Sequence, residues 1–245
     1  MTIALITGGS RGIGAATALA CTRRGIGVIL TYNKNSDAAA GVVDRITDAG
    51  GTAVALQLDV ADSASFLAFG THVSSTLQTI WGRTEFDYLI NSAGYGLYNT
   101  IATVTEAQFD GLFNVHLKGP FFLTQTLLPL LADGGHIVNM TSATTRVTTA
   151  GVAPYASFKD GLEVLTRYLA KELGDRRIRA NSISPGAIRT ELGGGLNDEF
   201  EALLAAQTAL GRVGEPEEVA VASLLADDNR WIDGQNIEVA GGFAI

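Results

Sequence analysis

The segment Thr7-Gly8-Gly9-Ser10-Arg11-Gly12-Ile13-Gly14 lies between a short apolar run, 3–6, and a helix-like stretch, 12–24. Taken alone, such a segment is either an ordinary glycine-rich turn or a phosphate cradle, and its place after a first buried strand favours the cradle. The glycines permit a tight turn and close backbone approach, and the helix start offers free N–H groups to a pyrophosphate. Apolar runs at 3–7, 28–32, 53–58, 88–91, 136–141, 179–183 and 236–239 alternate with helix-like stretches at 12–24, 37–49, 63–81, 106–131, 155–174 and 216–226. Near-continuous apolar runs are strands buried on both faces. Their alternation with helices predicts an α/β fold: a Rossmann-type, doubly wound parallel sheet of about seven strands with helices on both faces. Without a repeat, a low-complexity tract or a linker, 1–245 reads as one domain. The stretch 187–210, with Gly193, Gly194 and Gly195, is expected to be a mobile lid over the substrate.

The charge balance narrows the partners. A formal net charge of -8 repels phosphate backbones and anionic lipid, so neither nucleic acid nor a membrane surface is expected as a partner. No apolar stretch approaches the ~18 residues of a membrane span. One cysteine, Cys21, suits a reducing cytoplasm and sits where a small core residue belongs. His72, His116 and His136 are scattered and no zinc-ligand spacing is visible, so no metal is expected. His72 reads as a surface residue and His136 as a structural one.

Tyr155 and Lys159 are four residues apart and share a helix face. A tyrosine with a pKa near 10 is a poor base at neutral pH, but an adjacent ammonium favours the phenolate. Such a tyrosine can give a proton to a carbonyl oxygen and take it back. Ser142 can donate a hydrogen bond to the same oxygen.

Together these motifs resemble the short-chain dehydrogenase/reductase family, in its compact single-domain subclass. The cradle spacing is that family's Gly-x-x-x-Gly-x-Gly, followed in order by Asp59-Val60, Asn91-Ser92-Ala93-Gly94, Ser142, Tyr155-x-x-x-Lys159 and Pro185-Gly186-x-x-x-Thr190. The resemblance runs from Thr7 to Gly242. It implies an oxidoreductase that moves hydride between a nicotinamide and a carbonyl or alcohol carbon, with Ser142, Tyr155 and Lys159 catalytic. Gly8, Ser10, Arg11, Gly12, Ile13 and Gly14 would hold the pyrophosphate. Asp59 and Val60 would meet the adenine; Asn91, Ala93, Gly94, Tyr155 and Lys159 would flank the cofactor. Pro185, Gly186, Ile188 and Thr190 would brace the nicotinamide. The family's NAD enzymes place an acid 25 positions after the cradle threonine. Here that position is Tyr32, and Ser10, Arg11, Asn33, Lys34 and Ser36 can meet a 2′-phosphate. The resemblance therefore implies NADP(H), with NAD(H) second.

One position departs from the family. Aligned on Gly119 and Phe121, His116 stands where the family has an asparagine; Asn114 is about 200° away around the helix. His116 is expected to be a fourth site member, on a locally distorted helix, with an imidazole titrating near 6.5 that passes protons outward. Tyr95, Tyr98, Thr144, Val147 and Leu192 are expected to line an apolar pocket for a modest-sized carbonyl compound. An alternative is a 3-oxoacyl thioester reductase; the turn at 132–135 lacks the Lys or Arg that an acidic carrier would need. A second alternative is a catalytically silent dinucleotide binder. Related compact enzymes imply a homotetramer or homodimer, pairing 106–131 and 155–174 through Gly161, Leu162, Leu165 and Leu169, with 239–243 packed across another axis.

Overall fold

In the computed structural model, which describes residues 1–219, 221–225 and 227–245, the apolar runs become strands of one parallel sheet. They are β1 (Ile3–Thr7), β2 (Gly27–Tyr32), β3 (Ala53–Gln57), β4 (Phe86–Asn91), β5 (Leu131–Met140), β6 (Arg179–Pro185) and β7 (Asn236–Val239). Their order across the sheet is β3-β2-β1-β4-β5-β6-β7. All five residues of β1 are buried, as expected of a central strand covered on both faces. The chain winds outward from β1 to β3, then returns to β4 on the other side of β1. A crevice opens where the winding reverses, at the carboxyl ends of β1 and β4.

The helices are α1 (Gly12–Thr22), α2 (Ser36–Asp48), α3 (Phe66–Thr76), α4 (Glu106–Phe113), α5 (Gly119–Leu127), α6 (Ala153–Glu172), α7 (Asp198–Ala206) and α8 (Val221–Leu224). On one face, Ala15, Ala18 and Cys21 of α1, Val42 and Ile46 of α2, and Val221 of α8 form a core with Ala4, Ile6, Val28 and Leu30. On the other, Phe66, Phe69 and Val73 of α3 and Leu123 and Leu127 of α5 pack on Ile3, Leu5, Ile29 and Leu89. Burial of a large apolar side chain is worth about 1.5–3 kcal/mol, so these two layers hold the crevice rigid.

Several boundaries differ from the sequence reading. The stretch 63–81 is a 3-10 turn, then α3, then a π-helical turn, Leu77–Trp81. The stretch 106–131 is interrupted by a π-helical turn, Asn114–Lys118, and ends in a 3-10 turn, Leu128–Leu130. The expected turn at 132–135 lies inside β5: Phe86 pairs with Leu131 and Tyr88 with His136, so the extra residues bulge from the strand, with Gly134 at φ +78°. The expected helix 216–226 is a 3-10 turn, Pro216–Val219, followed by α8, with 220 and 226 outside the described residues. Among the described residues no helix is long and apolar enough to cross a membrane.

Candidate active site

The cradle is built by backbone proximity. Gly8 and Gly12 have φ of +66° and +52°, left-handed values that favour glycine. A Cβ on Gly14 would lie 2.3 Å from the Gly8 carbonyl oxygen, and one on Gly8 would lie 2.7 Å from Ala93 Cα. The threonine that precedes the glycines is a tie: Thr7 Oγ1 accepts from the backbone N–H groups of Ser92 (3.0 Å) and Ala93 (3.1 Å). It thereby locks the end of β1 to the loop after β4. The N-cap of α1 is Arg11, whose side chain makes no capping bond, and the first turn of α1 has no acidic residue. An uncapped, acid-free helix start behind close-packed glycines fits a pyrophosphate.

From the cradle a single cleft of about 920 Å³ runs to Tyr155 and on to α7. Of the candidate cofactor residues all line it except Asn91, Lys34 and Ser36. Asn91 turns its amide into the sheet instead, donating to Asn139 Oδ1 (2.8 Å) and Thr124 Oγ1 (3.3 Å). Asn139 in turn donates to Thr166 Oγ1 (2.9 Å). This buried chain ties β4 and β5 to α5 and α6, beneath the site. Lys34 and Ser36 are exposed, and Ser36 opens α2 behind its cap Asn35, beside Asp37. Asp59 spends a carboxylate oxygen on the Ala61 N–H. Of the candidate pocket residues, Tyr95, Tyr98, Thr144 and Leu192 line the cleft and Val147 does not.

The candidate reactive residues come from the end of a strand and the start of a helix. Ser142 follows β5, and Tyr155 and Lys159 sit in the first two turns of α6, whose inward stripe is Pro154, Phe158, Leu162 and Thr166. Lys159 is buried, and its Nζ donates to the Met140 carbonyl (2.6 Å) and lies 5.6 Å from the centre of the Tyr155 ring. Burial pushes the Lys159 ammonium down to about 7. Tyr155 is set deep enough that burial pushes its phenol up to about 12; a hydrogen bond with Ser142 pulls the other way by favouring the phenolate. Ser142 Oγ accepts from Thr144 Oγ1 (2.9 Å) and from the Thr144 N–H (3.3 Å).

His116 lies in the π-helical turn, 1% exposed, with its ring edge-on to Tyr155 at 4.9 Å between centres. Its Nε2 is 2.9 Å from the Tyr95 carbonyl oxygen. A carbonyl only accepts, so Nε2 carries the proton and Nδ1 is a bare acceptor; Nδ1 has no hydrogen-bond partner among the described residues. Burial, and then the Lys159 charge, hold the imidazole well below its ordinary value. The distortion expected of this helix is present. The titration expected near 6.5 is not, because a cation on the ring would be both desolvated and beside an ammonium. His136 is also fully buried, its Nε2 against Asn181 Nδ2 at 2.9 Å, and His72 is exposed.

Residues that sequence reasoning passed over complete the cleft. Phe200 and Leu204 of α7 line it from one helix face, an i, i+4 pair that a lid reading could have singled out. Phe243, expected to pack across an assembly axis, is 6% exposed and lines its own chain's cleft. Glu191 closes a contact across the cleft, its Oε2 2.8 Å from Arg11 Nη1; no local pattern announces that pair.

The fold and the site define a dinucleotide-dependent oxidoreductase architecture with a Ser–Tyr–Lys centre. A family model described as enoyl-(acyl carrier protein) reductase matches residues 8–244. An uncharacterized oxidoreductase of Methylorubrum extorquens is 38% identical over 245 residues, covering 98% of this chain and 96% of its own. The 3-oxoacyl-[acyl-carrier-protein] reductase FabG of Staphylococcus aureus is 34% identical over 243 residues, with 98% and 96% covered. The crystal structure of angucycline C-6 ketoreductase LanV with bound NADP superposes with a TM-score of 0.95 at 33% identity, over 99% of this chain and 95% of that one. The chain belongs to the short-chain dehydrogenase/reductase family.

Proposed function

We propose that this chain is an NADP(H)-dependent carbonyl reductase acting on uncharged, largely apolar ketones. The observation that carries the reading is the meeting of Ser142, Tyr155 and Lys159 with the glycine cradle in one cleft. A nicotinamide held by the glycine cradle and braced by Pro185, Gly186, Ile188 and Thr190 would supply hydride for the carbonyl carbon. Tyr155 donates its phenol proton to the carbonyl oxygen, and Ser142 holds that oxygen as negative charge develops. Lys159, whose Nζ lies 5.6 Å from the centre of the Tyr155 ring, stabilises the phenolate left behind. His116 sits against Tyr155 as a neutral ring. With Tyr155 and Lys159 both in place, a catalytically silent relative is the weaker reading.

Support for NADP(H) comes from Arg11 at the cradle and from Tyr32 and Asn33 on the lining where a ribose-directed carboxylate would stand. The NADP bound by LanV supports the same choice. The substrate reading rests on the lining. Arg11 and Lys159 are its cations, one at the cradle and one beneath Tyr155, while Tyr95, Tyr98, Leu192, Phe200 and Phe243 face the substrate side. Such a wall suits a neutral aromatic ketone better than an acidic carrier. The test is a ketone panel, including 1-tetralone and butan-2-one, followed at the nicotinamide band with NADPH and NADH. Preference for NADH, or turnover confined to acyl-carrier thioesters, would overturn the reading.

The chain is also proposed to work as a homodimer or homotetramer in the cytoplasm. The outward face differs from the sequence expectation: Leu162 is buried inside the protomer, and Leu169 packs on the core. Phe109, Phe121, Phe122, Val164 and Tyr168 are exposed on α4, α5 and α6 and suit a two-fold contact. Light scattering showing a monomer at micromolar concentration would exclude it. The span 187–210 is proposed to open and close over the substrate, with Phe200 and Leu204 on its inner face.

A further inference from the structure

Arg146 follows the 3-10 turn Ala143–Thr145, four residues beyond Ser142, and joins three parts of the chain. Its Nε and Nη2 donate to both oxygens of Glu238 in β7, at 2.8 and 2.6 Å. Its Nη2 also donates to the Phe243 carbonyl (2.8 Å), and its Nη1 to the Ala244 carbonyl (3.2 Å). A planar guanidinium is suited to this: one face of the fork grips a carboxylate while the remaining donors reach backbone oxygens.

The tail so gripped is sharply folded. Gly241, Gly242 and Ala244 have φ of +61°, +76° and +49°. At Ala244 that conformation is unfavourable for a residue with a Cβ, so external bonds must hold it. On its other side the tail is sewn to the residues that follow α7. Ala209 N–H donates to the Gly242 carbonyl (3.1 Å), Leu210 N–H to that of Gly241 (3.2 Å), and Ala244 N–H to that of Gln207 (2.8 Å). The tail is therefore a wedge between the catalytic turn and the foot of the α7 segment. Of its two large side chains Ile245 is exposed, while Phe243 is buried and lines the cleft.

We propose that Phe243 is a specificity-determining wall of the substrate cleft, and that Arg146, with Glu238, is the positioning residue that holds it there. An aromatic ring fixed in this way favours a flat, apolar substrate, because face or edge contact needs the wall in one place. This rests on the carbonyl-reductase reading above, and two readouts separate them.

In Phe243→Ala, the ratio of kcat/KM for 1-tetralone to that for butan-2-one is expected to fall about tenfold. In Arg146→Gln, KM for 1-tetralone is expected to rise several-fold, with kcat within about twofold and the Kd for NADPH, read by fluorescence, unchanged. Amide hydrogen exchange at 241–244 should speed up in Arg146→Gln whether or not a ketone is turned over. A wild type inert to both ketones would sink the substrate reading, while the exchange measurement still decides the role of Arg146. A kcat/KM ratio within twofold of wild type in Phe243→Ala overturns the proposal, and that variant decides alone if Arg146→Gln does not fold. Unchanged exchange in a folded Arg146→Gln overturns the positioning role.

Discussion

The Nε2–H of the His116 imidazole donates a hydrogen bond to the backbone carbonyl of Tyr95, 2.9 Å away. That bond ties a π-helical turn to the first aromatic of the substrate wall. A Cβ on Gly94 would lie 2.9 Å from the ring's Cε1, so the loop after β4 is moulded to this side chain. The groups facing His116 are Tyr95 on that loop and Tyr155 and Lys159 on α6. Burial, and then the Lys159 charge, hold its pKa well below 6.5 and favour the neutral ring. His116→Ala is expected to lower kcat/KM by loosening Tyr95, without removing any ionisation between pH 6 and 8 from the rate profile. A wild-type limb near 6.5 that vanishes in the variant would restore the proton-relay role.

Tyr155→Phe should reduce turnover by roughly 10²–10⁴-fold, the scale of general acid catalysis, and leave NADPH affinity within a few-fold of wild type. A variant retaining a tenth of wild-type activity would place the proton elsewhere.

The same residue sets a pH dependence with a definite sign. Burial raises the Tyr155 pKa to about 12, so the phenol keeps its proton through pH 7–9. Ketone reduction, which uses the protonated form, should show no falling limb from Tyr155 in that range. Alcohol oxidation needs the phenolate and should climb with pH. The climb should be shallower than tenfold per unit, because Lys159, brought down to about 7, loses the charge that favours the phenolate over the same range. Initial rates in both directions check this; an oxidation rate flat from pH 7 to 9 contradicts it.

Thr144 occupies the acceptor side of Ser142 with two donors, which leaves the single serine O–H free to donate either to Tyr155 or to a substrate oxygen. Thr144→Val keeps the shape and removes one donor. A hydrogen bond of about 0.5–1.5 kcal/mol corresponds to a loss of roughly two- to thirteenfold in kcat, restored in Thr144→Ser. Equal kcat in all three proteins would show that Ser142 needs no such hold.

Arg11 is engaged by Glu191, a pair whose side chains are 65% and 75% exposed. A 2′-phosphate has to compete with that carboxylate. Exposed pairs are worth about 0.2–1 kcal/mol, so Glu191→Gln should tighten NADPH binding by up to about fivefold. Arg11→Ala should cut the NADPH preference by roughly tenfold or more. Fluorescence titration with both cofactors measures each; weaker NADPH binding in Glu191→Gln would rule out the competition.

Buried strands alternating with helices are legible in sequence because burial on both faces demands continuous apolar runs. The glycine cradle is legible for a related reason: left-handed φ and sub-van-der-Waals backbone approach admit little but glycine, so the geometry is written in the residue type. Tyr155 and Lys159 are legible together because a helix repeats every 3.6 residues. Where the determinant is tertiary, the sequence is mute or misleading. Asn91 ends a strand in a cofactor-like motif, yet whether its amide faces the cleft or the sheet depends on Asn139 and Thr124, 48 and 33 residues away. His116 carries an ordinary imidazole in any extended chain; its neutrality comes from being buried beside Lys159. Phe243 reads as a lone aromatic near a tail, and becomes a wall of the site only because Arg146, 97 residues earlier, catches its carbonyl. The chain by itself therefore determined the fold, the cradle and the shared helix face of Tyr155 and Lys159, all set by local periodicity and backbone sterics, whereas Ser142 was singled out by the family resemblance. The protonation state of His116, the outward face of α6 and the shape of the substrate wall were decided only by the tertiary structure, because each depends on charges and hydrogen bonds between residues remote in sequence.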